Sequence, residues 1–197
     1  MKFDAFDEAM HPEVVKRIIR LNMELAKFWS NARGWAPQEA ADMLEKSRLD
    51  WQVSLSHRLS DVLREHPKEE SDAKLIESWL RLGVLVENSM KLGFVVFLRD
   101  YRNSKPEAYA ANKLTDPDSL KFDKLRELFV EHLSTDPGDD EWLRKIQHQR
   151  NAIHAFKDRS VNDWRAYKEA VFYYLRFLRR LSERLPYPDE MYAPHRN

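Results

Sequence analysis

Cysteine is absent from this chain. Disulfides, thiolate metal sites and a cysteine nucleophile are therefore excluded. Glycine is nearly absent too, with only Gly34, Gly83, Gly93 and Gly138. So few glycines argue against a sheet-rich fold with many tight turns, and no glycine-rich loop able to cradle a phosphate is present. Charge of one sign is missing: 33 Lys and Arg cancel 33 Asp and Glu. A nucleic-acid surface would need a local basic patch, because the net charge supplies no global attraction. Long apolar runs are lacking as well. The stretch Leu80 to Leu98 comes nearest to a membrane span, and Arg81, Glu87 and Lys91 interrupt it. The N-terminus MKFDAFDEAM carries acids and no apolar core of a signal peptide. The expectation is a soluble, cytoplasmic chain with no membrane partner.

What is present is helical periodicity between breakers. Pro12 suits a first helical position, and Val14, Ile18, Leu21, Leu25 and Phe28 follow at spacings of three and four. Gly34 makes a plausible stop. A second block from Pro37 to His66 carries Ala40, Leu44, Trp51, Leu55, Leu59 and Leu63. A third, from Ser71 to Tyr101, carries Leu75, Trp79, Leu82, Val86, Met90, Phe94 and Leu98, with Gly83 and Gly93 inside it as marks of close packing or a bend. Residues 102–118 read as a loop. A short helix follows with Phe122, Leu125, Leu128, Phe129 and Leu133. After the turn at Asp136-Pro137-Gly138, Asp139 or Asp140 can cap a fifth helix carrying Trp142, Leu143, Ile146, Ile153 and Phe156. The last helix spans about Val161 to Leu185. The fold class is all-α, an antiparallel helical bundle with five to six main helices. One domain covers residues 1–185, and residues 186–197 form an extended tail packed on the body or on a partner. Six tryptophans read most simply as core and interface anchors.

One cluster suggests chemistry. Arg150 and His154 are four apart in the expected fifth helix, which sets them ~40° apart on one face. Histidine can take or give a proton near neutral pH. Arginine presents a fork that fits phosphate oxygens. Together they suffice for metal-independent RNA cleavage, with the imidazole taking the 2′-hydroxyl proton and the guanidinium stabilising charge on phosphorus oxygens. The bland alternative makes His154 a core-edge residue and pairs Arg150 with an acid such as Glu87 or Asp158. A shifted pair, Arg144 with His148, has the same spacing but lacks the neighbouring Asn and Ala-Phe. Lys157 and Arg159 directly follow and could extend a phosphate-facing patch. Arg176, Arg179, Arg180 and Arg184 line the last helix, more simply as a solvated face than as an RNA surface. No HExxH, catalytic Ser-His-Asp set or P-loop is present, so no metal site and no cofactor is expected.

The run Arg150 to Phe156, RNAIHAF, resembles the signature of the HEPN superfamily, the helical domains named for higher eukaryotes and prokaryotes nucleotide-binding. The segment Leu82-Gly83-Val84-Leu85-Val86-Glu87-Asn88-Ser89-Met90-Lys91 resembles the acid-bearing helix that precedes the family's motif, so the likeness covers roughly residues 71–185. The family's usual pattern puts four to six residues between Arg and His, whereas this chain has three. The resemblance implies Arg150 and His154 as the catalytic pair, Asn151 as the polar residue after the Arg, and Glu87 as the acid that orients or charge-balances them. It implies a homodimeric RNase of a toxin–antitoxin or antiviral defence system, with RNA as substrate and an antitoxin or other defence protein as partner. It equally allows a member without catalysis that binds a partner protein or nucleotide. The homodimer also follows from chemistry: cleavage is best served by two proton-transfer groups, and the motif supplies one histidine per chain.

Overall fold

In a computed structural model of the chain, residues 7–63, 67–103, 109–110, 113–154, 160–189 and 192–194 are described. Eight α-helices appear among them: α1 (His11–Trp29), α2 (Gln38–Lys46), α3 (Leu49–His57), α4 (Lys68–Val96), α5 (Leu98–Asn103), α6 (Phe122–His132), α7 (Asp139–Arg150) and α8 (Trp164–Arg184). The only strands among these residues are two-residue segments, Tyr109–Ala110 paired with Lys113–Leu114. The molecule is an all-helical bundle, and among the described residues no helix is long and apolar enough to cross a membrane.

The longest helix, α4, is the hub and contacts α2, α3, α6, α7 and α8. Its stripe Leu75, Trp79, Leu82, Val86, Met90 and Phe94 is buried along its whole length. On α8 the stripe Tyr167, Val171, Tyr174, Leu175, Leu178 and Leu181 is equally buried. Each such side chain contributes about 1.5–3 kcal/mol of transfer free energy, which the weak intrinsic propensity of an isolated helix could not supply. Arg81, which interrupts the apolar run of α4, reaches Asp61 at 3.3 Å and donates to the Arg58 carbonyl.

Two of the expected helical blocks divide. The second becomes α2, α3 and a 3-10 segment over Arg58–Leu63. At the break the Ser47 hydroxyl donates to the Leu44 carbonyl at 2.6 Å and Ser47 turns extended. A serine that satisfies the last turn in this way competes with continuation of the helix. The third block divides at Phe97, giving α4 and the short α5, and α4 begins earlier than Ser71, just after Pro67. In α8 the start falls at Trp164, because the Asp163 carboxylate accepts from the Ala166 N–H at 2.8 Å and fixes the cap there. In α7 Asp139 is the first helical residue and caps nothing. It is buried and takes the hydroxyls of Ser134 and Tyr173 and the Arg180 guanidinium.

The C-terminal tail returns to the body. Tyr187 packs on Phe28 and Trp29, with ring centroids 5.2 and 5.5 Å away. Where four helices meet, a buried polar chain crosses the bundle. Asn22 (α1) donates to Ser56 Oγ, Gln52 (α3) donates to Asn22 Oδ1 and to Ser89 Oγ (α4), and Ser89 Oγ lies 3.0 Å from the Tyr174 hydroxyl (α8). Burial pushes the Tyr174 hydroxyl up to about 12, so it remains a donor.

Candidate functional site

Arg150 closes α7 against α4. A methyl group on Gly83 would lie 2.8 Å from the Cβ and Cδ of Arg150, so the glycine is what lets the arginine stem cross the helix. The guanidinium then reaches Glu87, one turn further along α4, and hydrogen-bonds its carboxylate. It also lies 5.1 Å from the Phe122 ring centroid. Lys91, a second cation, contacts the other Glu87 oxygen at 2.9 Å and donates to the Asp118 carbonyl. Both partners of the Arg150–Glu87 pair are about four-fifths shielded from water. Burial alone would push the Glu87 carboxyl up. The hydrogen bonds and charges of Arg150 and Lys91 outweigh it and hold the group below the usual carboxylate range.

His154 stands differently. The regular helix ends at Arg150, and Asn151–Ile153 tighten into a 3-10 turn. His154 donates its backbone N–H to the Asn151 carbonyl at 3.2 Å and leaves helical geometry, with ψ at 87°. The pair therefore does not share one regular helical turn, as its spacing had suggested. The reason lies on both sides of the turn. Arg150 is fixed to α4, and the buried Gln149 accepts the Asn162 N–H at 2.9 Å, drawing the returning chain back onto the helix end. Asparagine is also a poor residue for prolonging a helix. The result delivers His154 exposed to solvent, beside an Ile153 side chain that is 49% exposed. Asn151 is half-buried.

Of the other candidates, Lys157, Arg159, Asp158 and Phe156 lie outside the described residues. The shifted pair is split in purpose: Arg144 binds Asp140 at 3.0 Å, and His148 Nδ1 contacts the Gln149 amide. The arginines of α8 are not one solvated face. Arg180 binds Asp136 and Asp139, and Arg184 donates to the carbonyls of His132 and Leu133. Among the described residues no group of three or more His, Asp or Glu side chains is placed to hold a metal ion.

Sequence reasoning had paired Glu87 with Arg150 and marked Gly83 as a close approach, without joining the two. It missed Lys91, although its four-residue spacing from Glu87 on one helix was a readable signal. It also missed Phe122 and Gln149, whose contacts depend on how α6 and the loop before α8 pack. No family model, curated protein or solved structure matches the chain.

Proposed function

We propose that the protein is a metal-independent endoribonuclease of HEPN type, acting as a homodimer in a toxin–antitoxin or antiviral defence system. One observation carries the reading. A charge-balanced Arg150 is fixed on α4 by Glu87, and the chain leaves the helix within the next turn to present an exposed imidazole. In this reading His154 takes the 2′-hydroxyl proton. Arg150, whose charge Glu87 orients, stabilises the phosphorus oxygens as the 2′-oxygen attacks; the P–O5′ bond breaks, the second imidazole of the dimer gives the departing 5′-oxygen its proton, and a 2′,3′-cyclic phosphate is left. Asn151 and the cations Lys157 and Arg159 assist in holding RNA. The exposed Ile153 is an apolar contact that a two-fold interface along this turn would cover. The defence setting rests on the RNAIHAF resemblance alone.

The test is cleavage of RNA in chelator by the wild type and by His154→Ala, Arg150→Ala and the double variant, with circular dichroism and light scattering alongside. Loss of the imidazole should slow cleavage about 10²–10⁴-fold while the helical signal and the dimer persist. Undiminished cleavage by the double variant rejects the reading.

A specific observation favours a second one. Arg150 is already bound to Glu87, packed on Gly83 and near Phe122, which is what a structural tie between α7 and α4 requires. On that reading the chain is a non-catalytic helical module that binds a partner protein or nucleotide. Wild-type protein that cuts no RNA yet copurifies with one defined partner selects it.

A further inference from the structure

A groove between α2, α3 and α4 has a volume of about 580 Å³ and meets the Arg150–Glu87 pair at Lys91. That is the size of a small-molecule site and too small for a docked protein domain. Its walls are aliphatic, including Leu44, Leu55, Leu92 and Val95. Three features bear on its ligand. Gln52, only 2% exposed, lines the groove, and its Oε1 is buried with no hydrogen-bond partner, although its amide nitrogen serves the polar chain of the core. A buried acceptor without a donor is unfavourable, so a ligand N–H there would be favourable. Trp51 at the edge is 58% exposed, with the Arg48 guanidinium 4.1 Å from its ring centroid. Lys46, Arg48 and Lys91 border the groove; Arg48 also binds the Asp50 carboxylate at 2.6 Å, and Lys91 binds Glu87 at 2.9 Å. Of the two acids there, Asp116 is engaged by Arg102 at 3.4 Å, and Asp118 offers its backbone carbonyl to Lys91.

From this combination we propose that the groove binds a nucleobase-bearing anion: a heteroaromatic ring that stacks on Trp51, an N–H edge that donates to Gln52 Oε1, and a phosphate at the Lys46/Arg48/Lys91 border. Asn88 on α4 also lines the groove and adds a second amide for the ring edge. An acyl chain would suit the walls but would leave Gln52 Oε1 unmatched. This site does not depend on the nuclease reading of His154; it rests on the second reading, for whose nucleotide it gives a place, and cleavage can fail with the groove intact.

The experiment is calorimetric titration of the full chain with adenosine monophosphate, ribose 5-phosphate, N6,N6-dimethyl-adenosine monophosphate and decanoate. Adenosine monophosphate should bind. Ribose 5-phosphate, lacking the ring, should not. The dimethylated nucleotide has lost both N–H bonds of its base and should bind at least tenfold more weakly. Trp51→Ala, at an exposed position whose folding circular dichroism can verify, should weaken binding about tenfold or more. No binding of adenosine monophosphate at millimolar concentration overturns the proposal. So does equal affinity for ribose 5-phosphate, or binding that Trp51→Ala leaves unchanged. Decanoate binding that excludes the nucleotide assigns the groove to an acyl ligand and overturns it as well.

Discussion

Glu87 carries two cations on one carboxylate in a mostly shielded place, and its pH behaviour follows. A carboxyl held below its ordinary value contributes stability that is complete above the unfolded-state pKa of about 4. That contribution is lost as pH falls through the lower folded-state value. Glu87→Gln keeps the shape and removes the charge, so at neutral pH it should lower stability by about 1–3 kcal/mol. For a chain of this size that corresponds to a fall of about 2–4 °C in Tm per kcal/mol. The difference from wild type should shrink as pH drops below about 4, because the wild-type carboxylate is then lost too. Thermal melts at pH 7, 5 and 3 measure it. A difference that is the same at all three values would mean that the pair contributes shape and no charge. At this scale the sequence was informative where it named an acid partner for Arg150, and not where it relied on helical spacing. Glu87 and Arg150 were singled out from it, and they do meet. The backbone of His154 was not foreseeable, because the end of α7 is set by Gln149 reaching Asn162, a contact across the returning chain.

Elements raise the question of why α4 and α7 come so close. The two interior glycines of α4 answer it differently. At Gly83 an added methyl would collide with the Cβ and Cδ of Arg150 at 2.8 Å, and a Cβ cannot move without its backbone. At Gly93 the nearest atoms are the Leu133 and Leu181 methyl ends at 3.1 Å, which can rotate aside. Alanine gains about 1 kcal/mol over glycine in a helix interior at either site. Gly93→Ala should therefore change stability by less than about 1 kcal/mol. Gly83→Ala should destabilise by about 1–3 kcal/mol through overpacking and displace Arg150 from Glu87. Urea unfolding of the two variants tests the contrast, and an equal effect would show that α7 adapts to the added methyl. Phase explains what the periodicity missed here. Trp51 was read into a buried stripe on one continuous helix, but the break at Ser47 and Arg48 resets the rotation. Gln52 then faces the core, and Trp51 is exposed.

The bundle as a whole was legible because apolar residues recur at helical spacing along its long helices: the α4 stripe read from the sequence is buried. Periodicity could not reveal that polar side chains fasten the same helices to one another. Asn22, Gln52, Ser56, Ser89 and Tyr174 bond only when α1, α3, α4 and α8 are in register, and none stands out as polar residues on separate helices. Such a chain favours one packing over others of equal hydrophobicity, provided every member keeps a partner. Its members should therefore not be equally sensitive. Tyr174→Phe removes a hydroxyl whose neighbour Ser89 Oγ still donates to the Leu85 carbonyl at 2.8 Å and still accepts from Gln52 at 3.2 Å. Its cost should be about 1 kcal/mol. Asn22→Leu deprives the Gln52 amide of one acceptor and Ser56 Oγ of its donor, both deep in the core. Two buried groups then lose partners at once, and the cost should reach about 2–4 kcal/mol. Urea midpoints should rank wild type, Tyr174→Phe and Asn22→Leu in falling order. Equal midpoints for the two variants would mean that the chain is incidental and that apolar packing alone sets the register of the four helices.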